Sequence, residues 1–259
     1  MSLNNRIRDW SRQRVWVLGA SSGIGKALAE ALLERGARVA LSARNKEALE
    51  ALARQYDPMQ SLVVPADVTN QFDIDSAHAR INAQWSGIDL VVLVAGTHVP
   101  VRAWDFDAND AEALFQVNVF GAFRTLARVI PDLVSRGEGG IAVVSSVAGY
   151  RGLPTGLAYG ASKAALTNFC ETLYLDLRPK GVSVYLVSPG FVRTPLTDRN
   201  DFEMPALITV EEAASQMVRG FERGEFEIHF PKRFTWMMKL LRLLPYRLFF
   251  PLVHRITGL

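Results

Sequence analysis

Cysteine is nearly absent from this 259-residue chain: Cys170 stands alone, so no intrachain disulfide framework and no cysteine metal cluster can form. Its neighbours from Leu166 to Leu173 are apolar and helical in spacing, which reads Cys170 as a small buried side chain. Histidine is scarce as well. His78, His98, His229 and His254 fall in different elements without ligand spacing, and no metal site is expected. The opening segment, Met1 to Trp10, has no apolar stretch fit for a signal peptide, and a cytoplasmic, reducing setting is the expectation. A charge excess is lacking too. With 29 basic and 26 acidic residues the net charge is +3, too mild to predict a nucleic-acid partner. No repeat, low-complexity tract or linker divides the chain, whereas 49% of its residues are apolar, enough for a substantial single core.

What is present is alternation. Valine- and leucine-rich runs at 14–18, 38–41, 61–64, 88–94, 140–145 and 181–187, and the alternating segment 225–230, read as strands. Apolar-periodic segments at 27–33, 46–54, 109–134 and 157–178, and one capped by Thr209, read as helices. Such alternation implies an α/β fold with a parallel sheet and helices on both faces. The unbroken apolar run at 88–94 fits a strand buried on both sides. Residues 1–230 are expected to form one domain and 231–259 an extension.

Two groups of residues carry chemistry. Gly19, Gly23 and Gly25, with Ser21, Ser22 and Ile24 between them, join the first strand to the first helix. Gly19 suits a tight turn, Gly23 a close backbone approach, and Gly25 helix-to-strand packing, so that a helix N-terminus faces a pyrophosphate. At the end of the second strand Ala43 offers no carboxylate to a ribose hydroxyl, while Arg44, with the Ser42 hydroxyl beside it, suits a 2′-phosphate. NADP(H) is therefore expected over NAD(H). The second group is Ser146, Tyr159 and Lys163. Four residues apart on a helix, Tyr159 and Lys163 share a face, and an ammonium beside a phenol favours the phenolate of a group whose ordinary pKa is about 10. Ser146, closing the fifth strand, supplies a hydroxyl to hold a reacting oxygen.

Together these motifs resemble the classical short-chain dehydrogenase/reductases over nearly the whole length. Asp67 and Val68 after the third strand, Ala95 and Gly96 after the fourth, Asn118 in the long helix, and Pro189, Gly190, Val192 and Thr194 after the sixth add to the match. The resemblance implies a doubly wound Rossmann-type sheet of about seven strands in the order 3-2-1-4-5-6-7. It implies that Asp67 meets the adenine, that Thr194 and the backbone near Val192 meet the nicotinamide carboxamide, and that Lys163 holds the nicotinamide ribose. Asn118 would hold a water in a proton relay. One departure stands at Leu93 and Val94, where the family usually carries two asparagines, one of which helps fix the central strand by hydrogen bonds. The implied activity is carbonyl–alcohol interconversion with Tyr159 as general acid/base, on an apolar or lipid-like substrate. A 3-oxoacyl thioester reductase, with Arg124 and Arg128 greeting an acidic carrier, and an inactive NADP-binding sensor are the alternatives. The family also implies a homodimer or homotetramer, with the helices at 109–134 and 157–178 pairing across a two-fold axis.

Substrate contacts are expected from 196–207, with Asp198, Arg199, Asn200, Asp201 and Glu203, while Tyr150 and Arg151 are read either as substrate contacts or as plain surface-loop residues. Beyond the last strand the chain is apolar, aromatic and basic, with Lys232, Arg233, Lys239, Arg242, Arg247 and Arg255 and no acidic residue. Pro245 and Pro251 are expected to break any long helix, which excludes a membrane span. Three readings of this tail stay open: packing on the domain or a second subunit, a wall of the substrate pocket, or peripheral contact with an anionic membrane.

Overall fold

A computed structural model describes residues 2–199 and 204–258. Asn200, Asp201 and Glu203 of the expected substrate-contact segment lie outside the described residues. The seven strands are β1 (Arg14–Leu18), β2 (Arg38–Ser42), β3 (Ser61–Val63), β4 (Leu90–Leu93), β5 (Gly140–Val144), β6 (Ser183–Pro189) and β7 (Glu227–Phe230). They form one sheet in the order β3-β2-β1-β4-β5-β6-β7, every neighbouring pair parallel, as the resemblance implies. All four residues of β4 are buried, because helices cover both faces.

One face is covered by α1 (Gly23–Leu33), α2 (Lys46–Ala53) and α7 (Val210–Arg223), whose Leu28, Leu32, Leu49, Met217 and Phe221 meet the β1 and β2 valines. The other is covered by α3 (Gln71–Trp85), α5 (Gly121–Arg136) and α6 (Leu157–Leu177), through Ile74, Ile81, Leu126, Leu133, Leu166 and Cys170. Helix α7 opens on the expected cap, a reciprocal pair in which Thr209 accepts from the Glu212 amide and Glu212 from the Thr209 amide.

Helix α3 is unassigned from the sequence, yet Ile74, Ala77, His78, Ile81 and Trp85 lie along one buried face. The helix expected over 109–134 is three pieces in succession: α4 (Ala108–Phe115), a π-helical turn (Gln116–Phe120) and α5. The tail also differs from expectation. It forms α8 (Lys232–Leu243) and α9 (Tyr246–Thr257), with Pro251 inside α9. Pro251 is exposed, so the carbonyl its missing N–H leaves free can bond to water. No helix among the described residues is long and apolar enough to cross a membrane.

Candidate active site

The strand order reverses at β1 and β4, and over their C-terminal ends opens a cleft of about 740 Å³. Ligands of doubly wound sheets bind in that position, and the size suits a dinucleotide-scale ligand. Gly19, Ser21, Ser22, Gly23, Ile24 and Gly25 form one end of its floor. The turn has no room for side chains. A Cβ on Gly25 would fall 2.1 Å from the Gly19 carbonyl oxygen, and one on Gly19 would fall 2.7 Å from the Ala95 nitrogen. Gly19 and Gly23 take positive φ of 98° and 54°. Ser22, the N-cap of α1, makes no side-chain cap bond, so the helix N-terminus is open toward the cleft.

Arg44, which follows β2, and Asp67 and Val68, which follow β3, line the same cleft, as do Ala95 and Gly96 after β4 and Pro189, Gly190, Val192 and Thr194 at and after the end of β6. Arg44 is exposed and makes no ion pair among the described residues. Burial would raise the Asp67 carboxyl, but hydrogen bonds from the Thr69 amide and hydroxyl, with the Arg44 charge, hold it below the ordinary range. Ser42 corrects one expectation. It borders the cleft, but its hydroxyl is turned inward, donating to the Val64 carbonyl at 2.6 Å and accepting from Trp16 Nε1 at 2.8 Å. Its carbonyl instead anchors the glycine turn, accepting from the Gly19 and Ala20 amides.

Ser146, Tyr159 and Lys163 stand on the opposite wall. Ser146 follows β5; Tyr159 and Lys163 lie one turn apart on α6, with Lys163 Nζ 5.7 Å from the Tyr159 ring centre. Nζ donates to the Val144 carbonyl at 2.9 Å, and burial lowers its pKa to about 8. Burial raises the Tyr159 phenol, and a hydrogen bond with Ser146 opposes that rise. The sequence alone predicts a phenol lowered by its lysine. In this fold the phenol is instead raised by burial, and the Lys163 ammonium donates to the Val144 carbonyl.

Asn118 sits in the π-turn and is buried. Its side chain pairs with both backbone groups of Thr97, accepting from the amide at 2.7 Å and donating to the carbonyl at 3.0 Å, and reaches Ser162 Oγ at 3.1 Å. It clamps the loop after β4, where the two family asparagines are missing; Leu93 packs into the core instead. Asn118 also lines a void of about 10 Å³, the space of one water.

Three residues take roles that the sequence does not signal. His98 lies with its ring 4.4 Å from that of Tyr159. Tyr150 and Arg151, read from the sequence as substrate contacts or surface-loop residues, hold the tail. The buried Tyr150 hydroxyl donates to Glu227 Oε1, whose other oxygen takes Lys239 Nζ at 2.6 Å. Arg151 donates to the carbonyls of Leu241, Arg242 and Leu244 at the end of α8, and its guanidinium lies 4.7 Å over Tyr246 and 4.0 Å over Phe249. Phe234 of α8 lies against Phe191 and crowds Gly190, where a Cβ would fall 2.7 Å from its ring.

A seven-stranded parallel sheet with a glycine cradle at its switch point and a serine–tyrosine–lysine wall opposite defines an oxidoreductase of the dinucleotide-binding α/β class. The family model of the short chain dehydrogenases matches residues 13–204. An uncharacterized oxidoreductase of Myxococcus xanthus is 36% identical over 249 residues, 94% of this chain and 97% of the relative. One from Staphylococcus epidermidis is 34% identical over 78% of this chain and 87% of its own. The chain belongs to the short-chain dehydrogenase family. Among solved structures, a short-chain dehydrogenase from Sphingobium yanoikuyae in complex with NADPH is 28% identical, with a TM-score of 0.78 over 90% of this chain and 97% of that one. A family protein from Burkholderia phymatum in complex with NAD is 23% identical and shares the fold, with a TM-score of 0.83 over 90% and 94%.

Proposed function

We propose that the protein is an NADP(H)-dependent oxidoreductase that interconverts a carbonyl and an alcohol, with Tyr159 as general acid/base. The observation that carries this reading is the convergence of Ser146, Tyr159 and Lys163 on one cleft wall, facing a glycine cradle that admits no side chain. The open N-terminus of α1 and the glycine turn would hold the pyrophosphate, Asp67 the adenine, Lys163 the nicotinamide ribose, and Thr194 and the Val192 backbone the carboxamide. When bound, the nicotinamide supplies the hydride. Tyr159 gives its proton to the oxygen that becomes the alkoxide, and Ser146 hydrogen-bonds that oxygen. Burial raises the phenol and so favours its neutral form, the form that gives a proton in reduction. Asn118 acts behind them by holding the Thr97 turn and bordering a one-water void.

Preference for NADP(H) rests on the uncommitted Arg44 and the uncharged Ala43. An apolar substrate is favoured by Val99, Leu114, Pro195 and Leu196, which are among the residues lining the cleft with Tyr159. The carrier-protein alternative is weakened because Arg124 is engaged by Gln116 at 2.7 Å and Arg128 by Asp75 at 3.5 Å. For assembly, a two-fold pairing through α5 and α6 is supported by the aromatic cluster of Phe120, Phe123 and Phe169, in which Phe120 is exposed.

The test is Tyr159→Phe, assayed with a panel of ketones and acyl thioesters by NADPH absorbance. The variant binds NADPH as tightly as the parent and loses about 10²–10⁴ in kcat, the usual worth of a positioned general acid. A fully active variant overturns the reading.

A further inference from the structure

Helix α8 is apolar on two opposite sides. Phe234, Thr235 and Met238 face the body of the protein and are buried. Trp236, Leu240 and Leu243, spaced i, i+4, i+7, form a second stripe that faces outward, exposed by 57%, 65% and 79%. Helix α9 repeats the pattern. It is anchored through Phe249 alone among its buried residues, while Leu248, Leu252 and Ile256, also at helical spacing, are exposed. Exposed apolar stripes of this size are rarely left uncovered in water.

The charge on the same two helices says what covers it. Residues 231–259 carry six cations and no acid, against 29 basic and 26 acidic residues in the whole chain. Without those six the protein would be net negative by three; with them it is +3. Lys239 is paired with Glu227, whereas Lys232, Arg233, Arg242, Arg247 and Arg255 are exposed and form no ion pair among the described residues. A second copy of this chain meeting the face across a two-fold axis would set like charge on like charge. An apolar surface rimmed by unpaired cations matches instead an anionic lipid surface, where the apolar side chains enter the acyl boundary and the cations stay among the headgroups.

We propose that α8 and α9 form a docking face for an anionic lipid bilayer. The face is fixed to the catalytic body by Arg151, by the Tyr150–Glu227–Lys239 chain and by Phe234 against Gly190. The test uses the full chain, co-sedimented with vesicles of phosphatidylcholine and of phosphatidylcholine with phosphatidylserine. Binding to the anionic vesicles is expected, with little to the neutral ones and a loss at high salt. Arg242→Glu with Arg247→Glu is expected to weaken binding at least tenfold, and Leu240→Glu with Leu243→Glu to abolish it. These positions are exposed, so turnover of a soluble ketone without vesicles stays unchanged in each variant, which separates this proposal from the assignment of the reaction. Wild-type protein that remains in the supernatant, or variants that bind like wild type, would overturn it. A dimer in sedimentation velocity that Leu240→Glu dissociates would assign the face to a second copy, and an altered KM for a soluble ketone would assign it to the substrate pocket; either result also overturns the proposal.

Discussion

At Tyr159 two influences oppose each other: burial raises the phenol and Ser146 lowers it. Removing the hydroxyl leaves burial unopposed. Alcohol oxidation needs the phenolate, so its rate rises with pH, and Ser146→Ala moves that rise to higher pH while lowering turnover about 10²-fold. A pH–rate profile of the two proteins checks both effects. At the other end of the cleft, Arg44 is free to meet a phosphate. Arg44→Ser is expected to lower the ratio of NADPH to NADH affinity about 10–100-fold, measured by fluorescence titration, because a charge-assisted hydrogen bond is worth about 1.5–3 kcal/mol. A variant with an unchanged ratio would refute the selector role. Arg44 is readable from the sequence because its position after a strand fixes its address. Ser42 and Arg151 are not, since the direction of a hydroxyl or a guanidinium depends on distant partners: Trp16 and Val64 for one, the end of α8 for the other.

The glycine turn works as an element, joining β1 to α1 so closely that the Gly25 backbone occupies the only space available. Gly25→Ala sets a methyl 2.1 Å from the Gly19 carbonyl, against backbone that has no flexible end to move. The expected outcome is loss of detectable NADPH binding in titration together with about 1–3 kcal/mol of stability in urea unfolding. The strands were legible for a related reason. Two-sided burial demands runs such as Leu90 to Leu93, and no other element needs them at that length. The π-turn at Gln116–Phe120 left no such mark, because its one-residue widening alters hydrogen bonding without altering composition. Helix α3 had a readable stripe diluted by Asp73, Asp75 and Arg80, and α9 was hidden by Pro251, whose exposed position makes the proline tolerable.

Across the whole molecule, both ends of the chain are fastened to the β6–β7 edge of the sheet. Asn4, buried at 1% exposure, donates to the carbonyls of Val184 at 2.7 Å and Glu225 at 3.1 Å and accepts from the Val184 amide at 3.1 Å. Asn4→Ala strands the two buried backbone groups of Val184 and the part-buried Glu225 carbonyl. It is expected to cost about 2–3 kcal/mol and to lower Tm by roughly 5–10 °C in calorimetry, with kcat preserved because the cleft lies at the other end of the strands.

At the other terminus, the last carbonyls of α8 are closed by Arg151, a side chain from the loop that follows Ser146. The tail it closes is studded with lysine and arginine, the residues after which trypsin cuts. Limited trypsinolysis thereby becomes a clock for the loop after β5: a ligand that stiffens the stretch from Ser146 to Arg151 should slow release of the C-terminal peptides, though it never touches them.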